Sequence, residues 1–302
     1  MKKYAAIDLG TNTFHMIIVE KNHENEINVV HRCRRFVKLA YGGFEKIDAQ
    51  ALQKGLEVLS EFKSLMDKHK VSNYLAYGTS MFRRSENGLE FAKTILETTG
   101  IKINIIDGDI EAKMIFKGAL LANALNSGYN LLMDIGGGSV EFIIAEKSQI
   151  LFSRSYPIGI IELYHRYRDN EPFTSDYIDL IMLFLKNETT DLIQEIQKYN
   201  ISTLIGTAGS FEVLHSASSN AINEHLFELK PEDFHRFFKN VAHTTFEERK
   251  NISFIPNERK RLIVYAFLLI KHSLEISKAK ILRVTSYSMK EGMIKTLLEA
   301  EP

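Results

Sequence analysis

Short runs of β-branched and aromatic residues, cut by small polar residues, alternate along this chain with longer stretches of helical period. In the first third the runs predict a strand ending at Asp8, a second after Gly10, and others at Ile27 to Phe36, Tyr74 to Tyr77 and Lys102 to Ile106. Helical spacing predicts helices over Ala49 to Lys68, Glu86 to Thr98 and about Asp109 to Ala124. Farther on, strands are predicted at Asn130 to Asp134, Val140 to Glu146, Ile150 to Ser155, Ser202 to Ile205 and Lys280 to Val284. Helices are predicted at Ile160 to Arg166, Ser175 to Tyr199, across most of the chain after Pro231, and at Met289 to Leu298.

The pattern repeats itself. Ala6 to Glu20 lies over Leu132 to Glu146 at a constant shift of 126 positions, matching Asp8 with Asp134, Gly10 with Gly136 and Thr13 with Ser139. A shift of that size indicates a duplicated domain and not a solenoid period. Each copy reads as a hairpin with a turn of Gly, Thr, Asn or Ser, and each is followed by a third strand and then by alternating helix and strand. That order predicts α/β domains, each a mixed sheet flanked by helices, with a cleft between them. Domain I is expected at 1–124 and domain II at 125–287, with a hinge in the Asn123 to Gly128 loop and the C-terminal helix of 288–302 packed back on the first domain.

Composition narrows the class. At 302 residues the chain exceeds what one core usually organises, in keeping with two domains. Its 38 basic and 38 acidic residues balance, so no global field draws it to nucleic acid or an anionic membrane. Cys33 is the only cysteine, which excludes an internal disulfide and suits a small apolar filler. No signal segment or membrane span is evident, and a cytoplasmic protein is expected.

The paired turns carry the chemistry. Small residues let backbone N–H groups approach phosphate oxygens, and Asp8 and Asp134, at the ends of their strands, are placed to hold Mg²⁺. Gly206-Thr-Ala-Gly-Ser210 follows a strand and precedes a helix, a further place for a phosphate. Thr79, Ser80, Arg83 and Arg84 are expected on a loop, as phosphate ligands or as solvated surface. Glu111 opens a helix, where a carboxylate can orient water but is also favoured by the helix dipole alone. Glu141 stands where the first copy has His15. The charged cluster Glu258 to Arg261 reads as a solvated helix start.

Taken in order, these segments resemble the exopolyphosphatase/guanosine pentaphosphate phosphatase (Ppx/GppA) family, whose domains are ribonuclease H-like and belong to the actin-like ATPase superfamily. The resemblance rests on Asp8-Leu-Gly-Thr-Asn-Thr-Phe-His15, Thr79-Ser-Met-Phe-Arg83, Gly108-Asp-Ile-Glu-Ala112, Asp134-Ile-Gly-Gly-Gly-Ser-Val-Glu141 and Gly206-Thr-Ala-Gly-Ser210. It implies hydrolysis of the terminal phosphate of polyphosphate or a guanosine polyphosphate, with Glu111 as the catalytic carboxylate and Glu141 as the second. It further implies Asp134 and Glu141 as metal ligands supported by Asp8. Phosphate would be held by Thr11, Asn12, Thr13, Thr79, Ser80, Arg83, Gly136, Gly137, Gly138, Ser139, Gly206, Thr207, Gly209 and Ser210. A guanosine-polyphosphate sensor with little turnover and a small-molecule kinase are the alternatives, and a homodimer is left open.

Departures from the family pattern fall at Lys38, Ile110, Ala208, Ser210, Arg261, Ser288 and Lys290. They bear on substrate choice and turnover more than on fold. The chain also resembles the short, two-domain members, which lack a C-terminal helical extension.

Overall fold

The computed structural model describes residues 2–22, 27–168, 171–207, 209–215, 221–223 and 225–300. The chain divides into two units, Met1–Gly118 with Ser288–Pro302, and Ala119–Tyr287.

In the first unit, strands β1 (Lys2–Leu9), β2 (Thr13–Lys21) and β3 (Ile27–Phe36) form an antiparallel meander. Helix α1 (Ala49–His69) then returns the chain to β4 (Asn73–Gly78), which pairs parallel with β1. The short helix α2 (Ser80–Arg84), helix α3 (Gly88–Thr99), the two-residue strand β5 (Asn104–Ile105) and helix α4 (Gly108–Leu121) follow. The sheet order is β3-β2-β1-β4-β5.

Strand β1 is central, and Tyr4 to Ile7 are buried on both faces. Strand β3 is an edge and carries Arg32, Arg34 and Arg35, cationic side chains that discourage further pairing. Its Cys33 is half-buried, and burial pushes the thiol up to about 11, so it stays protonated and inert. Helix α1 starts where the Asp48 carboxylate accepts the Ala51 N–H at 2.8 Å. It buries Ala51, Gly55, Val58, Leu59, Phe62 and Met66, one helical stripe.

The second unit repeats the scheme. Strands β6 (Tyr129–Ile135), β7 (Val140–Glu146) and β8 (Gln149–Tyr156) form the meander, followed by α5 (Ile160–Tyr167), α6 (Ser175–Glu188), α7 (Thr190–Ile196) and the parallel strand β9 (Ile201–Thr207). Helix α8 (Gly209–His215), strands β10 (Ala221–Asn223) and β11 (Leu226–Leu229), and helices α9 (Pro231–Ala242) and α10 (Phe246–Arg249) come next. A 3₁₀ turn over Asn257–Arg259 leads to α11 (Ile263–Ser277) and β12 (Ile281–Thr285). The order β8-β7-β6-β9-β12 reproduces the first sheet strand for strand, and β11 and β10 extend it. Helix α11 is buried on nearly all sides and forms the centre of the core, its Tyr265 and Phe267 meeting Phe173 and Phe234 edge to face.

The last helix, α12 (Met289–Glu299), belongs to the first unit and packs on β1, β2 and β4. Arg32 Nη1 donates to Glu291 Oε1 at 3.0 Å and ties that helix to the edge strand. The α/β class with two mixed sheets and flanking helices is therefore the one the sequence predicts. Among the described residues no helix is long and apolar enough to cross a membrane.

Several elements differ from expectation. Residues Ser80 to Arg84 form a helix and not a loop, because Met81 and Phe82 are buried and Phe82 stacks on Phe91. The helix predicted across Ser175 to Tyr199 breaks at Thr189, whose hydroxyl donates to the Leu185 carbonyl at 2.8 Å and lies 2.8 Å from His272 Nε2. Helix α4 stops at Leu121, and Asn123 takes a left-handed φ of 51°. Strands β10 and β11 have no counterpart in the sequence reading, being short and without clear alternation.

Burial holds His272 down at about 4, with Lys271 adding to the effect. The unfolded chain therefore binds a proton at His272 between about pH 6.5 and 4 that the folded chain does not. Stability from this group is complete above pH 6.5 and falls with pH through that window, by roughly 3 kcal/mol at its end. Denaturant unfolding measured across the window should show this slope in the wild type and a shallower one in His272→Gln; equal slopes would remove the assignment.

Candidate active site

The two glycine turns have one geometry. The Gly10 N–H donates to the Thr13 carbonyl at 3.1 Å, and the Gly136 N–H to the Ser139 carbonyl at 2.9 Å. In each unit the turn carbonyls are then taken by a following segment. Leu39 N–H donates to Thr11 O, while Val37 and Lys38 N–H both donate to Asn12 O. Ile160 N–H donates to Gly136 O at 3.1 Å and Ile161 N–H to Gly137 O at 2.8 Å.

A trans peptide is planar, so each C=O points opposite to the N–H of the next residue. Fixing those carbonyls turns the N–H groups of Asn12 and Thr13, and of Gly137 and Gly138, to the opposite side of their turns. Aligned N–H groups of that kind form an anion-facing edge. Contact in the second unit is so close that a Cβ at Gly159 would stand 2.4 Å from Gly137 O.

Behind the second turn runs a polar row. Strand register places Thr285, Thr207, Asp134, Glu141 and Ser155 side by side across β12, β9, β6, β7 and β8. Directly opposed residues share a face, with Cβ atoms about 5 Å apart. Thr207 Oγ1 donates to Asp134 Oδ2 at 2.6 Å, and Ser155 Oγ donates to Glu141 Oε1 at 2.7 Å. Thr207, Asp134 and Glu141 are buried.

A hydroxyl donates to each of the two adjacent carboxylates, and where both are ionised their proximity favours a cation beside them. A hard cation that keeps several waters and takes one or two carboxylates plus substrate phosphate suits this donor set. Among the described residues no group of three or more His, Cys, Asp or Glu gathers to hold a metal, so any ion here relies on the Asp134 and Glu141 pair and on oxygens from elsewhere.

The equivalent row of the first unit is chemically different. Tyr77, Asp8, His15 and Arg34 are register partners across β4, β1, β2 and β3. This row has one carboxylate beside an imidazole, with a guanidinium one strand farther on, where the second unit has two adjacent carboxylates.

Glu111 sits in the first turn of α4. The Asp107 carboxylate accepts the Ile110 N–H at 2.8 Å, and the Glu111 N–H donates to the Asp107 carbonyl at 3.1 Å. Arg83 Nη1 donates to Glu111 Oε2 at 3.0 Å and to the Ile106 carbonyl at 2.6 Å. In this structure Arg83 therefore holds the carboxylate of Glu111, a pairing that spacing alone did not show. Thr79 and Ser80 are buried, and Thr79 Oγ1 donates to the Leu9 carbonyl at 3.4 Å.

At the third loop, Gly206 and Thr207 end β9, while Gly209 and the buried Ser210 begin α8. Ala208 lies outside the described residues. The charged cluster 258–261 is only in part the solvated helix start expected: Glu258 and Arg261 are exposed ahead of α11, but Arg259 and Lys260 are not. Arg249 Nε donates to the Lys260 carbonyl at 2.8 Å, Lys260 is itself buried, and the Arg259 guanidinium covers Gly209, with Nη2 1.8 Å from where a Cβ would stand.

Ser155 and Arg259 were not singled out from the sequence. Pairing of Ser155 with Glu141 follows a bulge between Ile144 and Ala145, which shifts the register by an amount that alternation does not reveal.

A repeated α/β scaffold, with matched glycine turns and a buried acidic row in its second half, defines the class. The Ppx/GppA phosphatase family model matches residues 17–301, and the chain belongs to that family. It is similar to a crystal structure of an exopolyphosphatase from Cytophaga hutchinsonii, with a TM-score of 0.93, 31% identity and coverage of 100% of this chain and 99% of that one. The guanosine-5'-triphosphate,3'-diphosphate pyrophosphatase of Aliivibrio fischeri is 30% identical over 213 residues, 70% of this chain and 42% of that protein. The chain thus spans less than half the length of that relative. A putative exopolyphosphatase of Haemophilus influenzae is 24% identical over 299 residues, covering 98% of this chain and 92% of its own length.

The contact at Gly159 is testable by stability. Gly159→Ala should destabilise the protein by about 1–3 kcal/mol, since the new methyl must push the glycine turn aside. Gly42→Ala, whose Cβ would meet its nearest neighbour at an ordinary 3.6 Å, should be near neutral in the same thermal unfolding assay.

Proposed function

We propose that the protein is a phosphohydrolase that releases terminal orthophosphate from inorganic polyphosphate or guanosine pentaphosphate. The observation that carries the reading is the buried pair Asp134 and Glu141, flanked by Thr207 and Ser155 and lying behind a glycine turn whose carbonyls are bound by Ile160 and Ile161. Membership of the Ppx/GppA family and the names of the relatives from Cytophaga, Haemophilus and Aliivibrio support it.

In this reading Gly136, Gly137, Gly138 and Ser139, with Thr11, Asn12 and Thr13, receive phosphate oxygens. Gly206, Thr207, Gly209 and Ser210 support the same end of the second sheet. Asp134 and Glu141 hold Mg²⁺, with Asp8 contributing through charge. The ion, when bound, neutralises phosphate charge and stabilises the leaving oxygen. Glu111 orients and activates the attacking water, and Arg83 fixes the carboxylate so that one oxygen stays directed at that water. Thr79 and Ser80 act by shaping the Arg83 segment.

Phosphate release from polyphosphate and from guanosine pentaphosphate tests the reading. Glu111→Gln keeps the shape and removes the base, and is expected to lower kcat by about 10²–10⁴ on either substrate; wild-type turnover in that variant would exclude the role. Thr207→Val removes the hydroxyl that orients Asp134, and should raise the Mg²⁺ concentration for half-maximal activity by roughly tenfold. An unchanged Mg²⁺ dependence would place the ion elsewhere.

A further inference from the structure

We propose that Arg34 is a phosphate-binding residue of the first unit, taking a phosphate group of the substrate chain directly by charge and hydrogen bond. This rests on the reading that the Thr11 to Thr13 turn receives phosphate.

Alternation along β3 sorts its three arginines between the two faces of the sheet. Arg35 points with Cys33 to the α1 face, where its Nε donates to Glu61 Oε2 at 3.0 Å. Arg32, Arg34 and Phe36 share the other face, where Arg32 is held by Glu291 of α12. Register pairs Arg34 with His15 and Phe36 with Thr13, and Thr13 and His15 are themselves two residues apart. The Thr13 hydroxyl and the Arg34 guanidinium therefore project from the same face. That guanidinium lies 5.3 Å from the centre of the Phe36 ring, beside the residue that stands opposite Thr13. Directly opposed residues have Cβ atoms about 5 Å apart, so a phosphate on Thr13 comes within reach of an arginine side chain there.

The repeat gives a second line of support. Strand β3 stands to β2 as β8 stands to β7, and Arg34 opposite His15 occupies the row position of Ser155 opposite Glu141. Where the second unit sets carboxylates and a hydroxyl in that row, the first has a guanidinium and an imidazole in the last two places. A guanidinium offers phosphate a planar fork of charged donors with no ion between. Arg34 is half-buried, and a charge partly shielded from water acts more strongly on a neighbouring anion. Protection of the sheet edge calls for a charge somewhere on β3, not for one beside the turn.

Binding of inorganic tripolyphosphate, measured by titration calorimetry with EDTA present, tests this without turnover. Arg34→Gln should weaken it about tenfold or more, and Arg34→Lys, which keeps the charge and loses the fork, should fall between that variant and the wild type. Lys54→Gln removes one charge from the exposed side of α1 and should bind as the wild type does. With Mg²⁺ and polyphosphate, Arg34→Gln should raise KM by a larger factor than it lowers kcat. Absence of binding by the wild type, equal affinity of Arg34→Gln and wild type, or an equal loss in Lys54→Gln would overturn the proposal. Arg34-dependent binding in a protein that releases phosphate from neither polyphosphate nor guanosine pentaphosphate would sustain the role of Arg34 and reject the hydrolase reading.

Discussion

Two carboxylates facing each other across a strand pair, buried and each held by a neighbouring hydroxyl, are the constraint around which the second unit is arranged. Asp134 and Glu141 repel when ionised, and burial raises the cost. Thr207 on one flank and Ser155 on the other offset part of it through short hydrogen bonds. Those donors exist only because β9 and β8 lie on opposite sides of β6 and β7. The sheet order is thus a requirement of the polar row as well as of the apolar core beneath it.

Duplication supplied the scaffold, and substitution made its copies unlike. Both turns close with the same glycine-to-hydroxyl-residue bond, and both have their carbonyls occupied by the segment that follows the meander. At the next position along the strands the copies part. Glu141 makes the second row acidic, whereas the first row has His15 and Arg34 beyond its single carboxylate.

Much of the fold was legible in the sequence because its signals are local. A glycine turn between β-branched runs marks a hairpin whatever surrounds it, and recurrence at a fixed shift reports duplication without any structure. Elements went unread where a distant partner decides them. The short helix after Thr79 forms because Phe82 meets Phe91, and the break at Thr189 forms because a buried threonine meets His272. Neither contact leaves a trace in local propensity.

For the site, sequence by itself singled out the residues on which the proposed chemistry rests: two acid-glycine-hydroxyl turns, Glu111 at a helix start, and the third small-residue loop. Their type and order suffice for that, since acidic, glycine and hydroxyl side chains keep their chemistry in any fold. Tertiary structure alone decided whom they meet. Arg83 clasps Glu111, Thr207 and Ser155 serve the carboxylate pair, and Arg259 covers Gly209. Each of these pairings depends on strand register, a bulge or a chain crossing, and such long-range geometry is set by packing of the whole unit.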